Sequence, residues 1–334
     1  MKKYKINILI LVCVSLLIMF LVMKDDFNDI MYNILNADIS YLLLGLLFMF
    51  FNVFFQSLSM HLYLKEIDKN YKFYNTFILM VSAQFFNAIT PFSSGGQPFQ
   101  MYLLNRQGIG VSKSASALLQ NFLSYQLSLI LLGTIAIITN KYLNIIPNTS
   151  LLKNIVVIGF LVNVFVLLTL IFLSKAKKLN TKVFNKIFNF IFSFKFIKNR
   201  ENLKEKASKK IDEFYESSEY YKSNKFILIK SMFFNILSLL CLYVVPLFIF
   251  YSVGQENINI ISSIICSSYV YFIGSFVPIP GGTGGLEYAF IEFFRNFAGK
   301  TIISTCMLLW RFITYYFSML LGAISLLFIK KKVD

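Results

Sequence analysis

Two stretches rich in proline and glycine, Pro91-Phe-Ser-Ser-Gly-Gly-Gln-Pro98 and Pro278-Ile-Pro-Gly-Gly-Thr-Gly-Gly285, cut through apolar runs that otherwise read as membrane helices. Proline removes a backbone donor and cannot continue a helix interior, while glycine opens left-handed dihedrals and close backbone approach. Few folds accommodate such breaks at membrane depth. An unsatisfied peptide group in hydrocarbon costs several kcal/mol, so non-helical backbone persists there only where it is packed in protein or lines a cavity. Both breaks are therefore expected to be site structure rather than connecting loops.

The rest of the chain supplies the membrane. Hydrophobic residues make up 57% of the 334 positions, 38 of them Phe, and the mean hydropathy is +0.66. Several apolar runs approach the ~20 residues that cross a ~30 Å hydrocarbon core. The predicted fold class is all-α, a polytopic membrane protein forming one domain over residues 1–334. Its longest polar stretch, residues 174–225, is far shorter than the ~100 residues of a typical independent domain. Cys13, Cys241, Cys266 and Cys306 stand singly in apolar segments, which points to packing rather than a disulfide or zinc framework. His61 has no ligand partners at metal spacing and is expected to lie near an interface. No cofactor and no metal are expected.

Positive charge sets the predicted orientation. Lys2, Lys3 and Lys5 precede an apolar run at 6–23 that reads as an uncleaved first span, since no small-x-small cleavage site follows it. Acidic residues Asp25, Asp26, Asp29 and Asp38 follow, then Lys65, Lys69 and Lys72. From Lys175 to Lys225 there are 14 Lys or Arg against 6 Asp or Glu, and Lys330–Lys332 lie at the far end. Both termini and the basic loop at 174–225 are thus expected in the cytoplasm. The net charge of +16 reads as this topology signal together with attraction to anionic headgroups, about 1 kcal/mol per basic residue, rather than as a nucleic-acid surface.

Crossings are expected at 6–23, 40–64, 112–139, 152–173, 226–251 and 302–329, about six in all. Segments 75–107 and 258–299 must each enter and leave on one side, and their second arms are shorter than a full span. They are predicted to be re-entrant helical hairpins of opposite orientation, an arrangement typical of inverted-repeat transporters.

Around the first break the candidate substrate-binding residues are Pro91, Ser93, Ser94, Gly95, Gly96, Gln97 and Gln100. Around the second they are Pro278, Pro280, Gly281, Gly282, Thr283, Gly284 and Gly285. Each break leaves the next helix with free N–H groups, which suit an anion such as a lipid phosphate. Charges at depth are few. Glu287 lies two residues past the second break, and Arg311 near the middle of the last span; a lone ionised side chain there is costly, so the two are expected to pair. Arg311, Tyr315, Ser318 and Gly322 recur at helical steps on one face, aiming the guanidinium inward. A guanidinium also fits a phosphate bidentately, so Arg311 is a candidate switch between Glu287 and substrate, with Tyr315 beside it. A purely structural ion pair is the competing reading. Glu292 and Arg295, at i, i+3, are expected to pair near an interface. Ser112, Ser116, Gln120, Ser124 and Ser128 form an i+4 ladder of the kind that packs helices in lipid.

Three segments, Ala88–Gln100, Phe276–Glu287 and Trp310–Tyr316, resemble the motifs of the lysylphosphatidylglycerol synthase transmembrane family, the flippase region of the bacterial multiple peptide resistance factor. The resemblance runs over nearly the whole chain. It implies a bacterial cytoplasmic-membrane protein that moves an aminoacylated phospholipid, or another lipid-linked substrate, between leaflets. In the full-length family enzyme a cytosolic acetyltransferase-like domain transfers lysine from lysyl-tRNA to phosphatidylglycerol; no segment here reads as that domain. Many relatives carry Glu and Arg where Gln97 and Gln100 stand, which argues against assuming lysylphosphatidylglycerol as the cargo. The expected partners are phospholipids and, where the substrate needs making, a separate lipid-modifying enzyme; homo-oligomerisation stays open. The alternative function is phosphatidylglycerol lysyltransferase activity, alone or with a partner.

Overall fold

The computed structural model describes residues 26–146, 150–175, 209, 212–216, 218–219, 224–274 and 277–329. Among them every regular element is helical: α1 (Phe27–Leu35), α2 (Ile39–Ile67), α3 (Phe73–Ala88), α4 (Gly96–Arg106), α5 (Val111–Leu143), α6 (Ser150–Lys175), α7 (Lys225–Ser252), α8 (Ile260–Gly274), α9 (Gly285–Phe294), α10 (Lys300–Arg311) and α11 (Phe317–Ser325). A five-residue π-helical stretch, Phe312–Tyr316, joins the last two without interrupting the rod.

Five segments are long and apolar enough to cross a membrane: Ile39–Ile67, Val111–Leu143, Asn154–Phe172, Lys225–Ser252 and Lys300–Phe328. They coincide with five of the expected crossings. The sixth, at 6–23, lies outside the described residues, as does most of the basic loop at 174–225. Segments 75–107 and 258–299 each contain two shorter helices, of 16 and 11 residues and of 15 and 10. None of these four reaches the ~20 residues of a full crossing.

Helix ends follow local chemistry. Asp38 caps α2 by accepting from the Ser40 amide at 2.8 Å. At the end of α5, Asn144 adopts a left-handed conformation with φ 49°, a geometry Asn tolerates better than most residues. The Asn140 side chain then accepts from the Ile146 amide at 3.0 Å, turning the chain away. Inside α7, Pro246 removes one donor from the ladder. Three residues before it, the Tyr243 carbonyl accepts from the hydroxyls of Ser263 and Ser267 on α8, at 2.8 and 2.9 Å, so this stretch of the helix is also an attachment point for the next.

The centre of the molecule is α2 laid along α7, with α5 against both. Lipid supplies no hydrophobic drive to bring helices together, so close approach and polar contacts must. Asn52 donates to the Ser238 carbonyl and hydroxyl at 2.9 and 2.8 Å. Ser59 meets Ser231 at 2.7 Å, Ser231 meets Ser124 at 2.6 Å, and Asn235 donates to Ser59 at 2.9 Å. The serine ladder of α5 is spent in this way, Ser128 donating to the Met232 carbonyl of α7 at 3.1 Å. Its other residues, Ser112, Ser116 and Gln120, are likewise buried. His61 is held at one end of α2, with Nδ1 2.9 Å from the Thr76 hydroxyl.

Two glycines let neighbouring helices touch. A Cβ at Gly322 of α11 would sit 2.7 Å from the Phe85 amide nitrogen and 2.9 Å from the Val81 carbonyl oxygen of α3, and one at Gly133 of α5 would enter the Phe272 ring of α8. Backbone atoms cannot yield as a side-chain tip can. Gly322→Ala is therefore expected to lower stability by about 1–3 kcal/mol. Gly110→Ala, with nothing within 4 Å of the new methyl, should stay within about 0.5 kcal/mol of the parent. Thermal melting in detergent followed by circular dichroism checks both.

Candidate functional site

Both breaks fold into the same kind of tip, a single 3₁₀ turn followed at once by a new helix. At the first, Pro91–Ser93 turn and α4 starts at Gly96; at the second, Pro280–Gly282 turn and α9 starts at Gly285. The two turns touch one another, bringing together residues nearly two hundred positions apart.

The backbone donors exposed by the first break are met by one side chain of the preceding helix and one from the break itself. Thr90 Oγ1 accepts from the Gly95 amide at 2.8 Å while donating to the Phe86 carbonyl at 2.7 Å. Asn87 Oδ1 accepts from the Gly96 amide at 2.9 Å. A Cβ on either glycine would collide with these capping groups, coming within 2.6 Å of Thr90 Cγ2 or 2.3 Å of Asn87 Oδ1. Pro91, Phe92, Ser93 and Ser94 are exposed at the surface of the chain, as are Gln97 and Pro98. Gln100 turns inward to the Met80 sulfur at 3.0 Å.

The second break uses charge. Glu287, in the first turn of α9, accepts from the Gly284 amide through Oε2 at 2.7 Å and from Arg311 Nε through Oε1 at 2.6 Å. Arg311 donates through Nη2 to the Gly281 carbonyl at 3.0 Å. The side chains of Arg311 and Glu287 are only 6% and 8% exposed, so this is a buried pair, in the regime where losing one partner is far costlier than the pair is stabilising. The Arg311 guanidinium carbon lies 5.5 Å from the centroid of Trp310 and 5.0 Å from that of Tyr315, within cation–π range. Trp310 in turn stacks on Phe290 of α9 with centroids 4.9 Å apart.

Tyr315 touches both tips. Its hydroxyl donates to the Ala88 carbonyl at the end of α3 at 3.1 Å. Its ring lies where a Cβ on Gly281 would be, 2.3 Å from Cε2, and Gly281 also has φ +65°, so no other residue fits that position without strain. The π-helical stretch begins directly after Arg311 and contains Tyr315, so it sets the angle between them; such stretches are frequent at functional sites. Arg311, Tyr315, Ser318 and Gly322 are all buried, on the inner side of the last rod.

Of the residues singled out from sequence, Glu287, Arg311, Gly281, Gly284 and Tyr315 form one connected cluster. Gly95 and Gly96 lie in the neighbouring tip, and Ser93 and Ser94 on its exposed edge. Thr283 folds back locally, donating to the Pro280 carbonyl at 2.7 Å, while Gly282 and Gly285 are occupied by close contact with Leu286 and Val277 side chains. Pro278 is exposed beside them. Sequence reasoning did not assign Thr90 or Asn87 a capping role. Glu292 and Arg295 pair at 3.2 Å in a partly exposed position away from the cluster. Among the described residues no three His, Cys, Asp or Glu side chains gather where they could hold a metal ion.

Removal of either partner strands the other's charge. Glu287→Ala and Arg311→Ala are each expected to cost about 3–5 kcal/mol, whereas Glu287→Leu with Arg311→Met in one chain should cost less than either alone. A double-mutant cycle on melting temperature in detergent measures the difference.

Comparison with known proteins bears on the whole chain. Residues 7–322 match the family described as the lysylphosphatidylglycerol synthase TM region. A UPF0104 membrane protein of Archaeoglobus fulgidus is 24% identical over 283 residues, covering 80% of each chain. Another, from Methanocaldococcus jannaschii, is 23% identical over 359 aligned positions, covering 100% of this chain and 98% of the relative.

Proposed function

This chain belongs to the lysylphosphatidylglycerol synthase transmembrane family, and from that premise we propose that it moves a phospholipid, an aminoacylated phosphatidylglycerol or a related anionic or lipid-linked substrate, between the two leaflets. The observation that carries the proposal is the meeting of two helix breaks, the second clasped by a buried Glu287–Arg311 pair and the two bridged by Tyr315. A membrane protein gains little stability from a buried ion pair that well-packed apolar side chains could replace. Ionisable residues at membrane depth more often mark a substrate pathway.

In this reading segments 75–107 and 258–299 are re-entrant from opposite faces, and their tips form the narrow part of the route. The exposed edge at Ser93, Ser94 and Gln97 receives the headgroup. Arg311 exchanges Glu287 for the phosphodiester, for which its planar fork is suited. The acyl chains stay in lipid. The proposed setting is the cytoplasmic membrane with both termini inside, which the distribution of Lys and Arg supports. Lysyl transfer from tRNA is the reading set aside: within the described residues the carboxylate at the tips, Glu287, is engaged by the Gly284 amide and by Arg311 rather than free to act as a base.

Reconstituted in phosphatidylglycerol liposomes carrying a trace of fluorescent lipid, the protein should speed loss of inner-leaflet fluorescence to an impermeant quencher. Arg311→Ala should slow that loss about tenfold, as expected for losing a charge-assisted contact, and Arg295→Ala should leave it within about twofold. Lipid lysylation by the purified protein with lysyl-tRNA, and no lipid movement, would replace this reading with the transferase.

A further inference from the structure

The molecule is built twice over. Pro91 and Pro280, which open the two tips, stand 189 positions apart. So do Gly96 and Gly285, which begin α4 and α9, and Val111 and Lys300, which begin α5 and α10. α3 and α8, and α2 and α7, follow in the same order with starts a few positions closer.

The tips agree in detail. In each, the proline is followed by two left-handed residues, Phe92 and Ser93 with φ 53° and 51°, and Gly281 and Gly282 with φ 65° and 63°. In each, the next residue returns both its amide and its hydroxyl to the proline carbonyl: Ser94 to Pro91 at 3.2 and 2.9 Å, Thr283 to Pro280 at 3.4 and 2.7 Å. Two glycines then start the helix. The long contacts repeat as well, for Gly322, packed on α3, lies 189 positions after Gly133, packed on α8.

The copies point in opposite directions. Along the α2–α7 contact, Tyr41 meets Tyr251, Phe48 meets Phe248, Asn52 meets Ser238 and Ser59 meets Ser231. One number rises as the other falls, so these equivalent helices run antiparallel.

The halves differ in state. Pro91–Ser94 is exposed, whereas Gly281, Gly282 and Thr283 are buried. The charged clasp is also one-sided: the positions 189 before Glu287 and Arg311 are Pro98 and Phe122. We infer that residues 39–143 and 225–328 are inverted copies of one unit, and that the protein alternates between two states in which the tips exchange exposure, the Arg311–Glu287–Gly281 clasp latching the second tip shut in the state seen here. A chain whose halves share one fold has a counterpart arrangement of similar packing, reached when each half takes up the other's conformation. The clasp biases which arrangement prevails. Phe92 and Ser93 hold left-handed dihedrals without glycine, so the first tip carries backbone strain that the second avoids.

This exchange rests on the transport reading above, and thiol labelling tests it separately. In a background with Cys13, Cys241, Cys266 and Cys306 replaced by Ala, Ser94→Cys and Thr283→Cys are labelled in liposomes by a small charged methanethiosulfonate. Ser94→Cys should react faster than Thr283→Cys. Arg311→Lys, which loses the fork, should raise labelling at Thr283→Cys about tenfold and lower it at Ser94→Cys. Gly281→Ala, which opposes the closed tip sterically rather than through charge, should do the same. A rise at both sites together, or no change in either variant eluting as a monodisperse species, overturns the exchange. Reciprocal labelling without lipid movement leaves the exchange standing and removes lipid as the cargo; lipid movement without reciprocity removes the exchange alone.

Discussion

A peptide group with no partner in an apolar layer is the constraint on which the rest of this structure depends. Breaking a helix strands several such groups at once. The two tips meet the demand with different chemistry. Thr90 and Asn87 cap the first with neutral oxygens supplied by the break and by the helix just ended. At the second, one carboxylate caps the new helix, and the guanidinium that neutralises it donates to the turn's own carbonyl. Once Glu287 is committed to the Gly284 amide, a cation must lie nearby, and Arg311 brings the last transmembrane rod with it. Packing between distant parts of the chain thus follows from satisfying a handful of backbone groups.

What the sequence disclosed was what apolar surroundings make conspicuous. Long hydrophobic runs announced the spans at 40–64, 112–139, 152–173, 226–251 and 302–329 within a few residues of the helices found. Glu287 and Arg311 stood out because ionised groups at depth are rare, and their pairing followed from the cost of leaving either alone. Residues whose role depends on turn geometry were not legible. Asn87 caps Gly96 only because Phe92 and Ser93 take left-handed dihedrals that neither residue type favours. The π-helical stretch holds neither proline nor glycine, so nothing marks it in the sequence, yet it sets where Tyr315 falls relative to Arg311.

Beyond the opposed hairpins, the internal duplication was hidden for a related reason. Between the tips only a pattern of proline, two residues, a hydroxyl and two glycines is shared. Elsewhere the halves need only be apolar, with small residues where helices cross, and many sequences meet that requirement. Backbone conformation, helix order and the paired close contacts at Gly133 and Gly322 are fixed by geometry and retain the correspondence after side-chain identity has gone.

Symmetry of fold with asymmetry of charge gives the arrangement its character. Were both tips clasped by a buried ion pair, both would be held shut and neither state would prevail. Were neither clasped, the tips would differ only by side-chain packing and strain. A single clasp, placed on the tip whose glycines adopt the left-handed turn without strain, lowers one state relative to the other through contacts that an incoming phosphate can compete for. The guanidinium has one carboxylate and one carbonyl as its hydrogen-bonding partners, and a phosphodiester offers oxygens with the charge of the first and the acceptor capacity of both. In the proposed cycle binding and unlatching would be the same event at Arg311, which is how a ligand with differential affinity for two states shifts their balance.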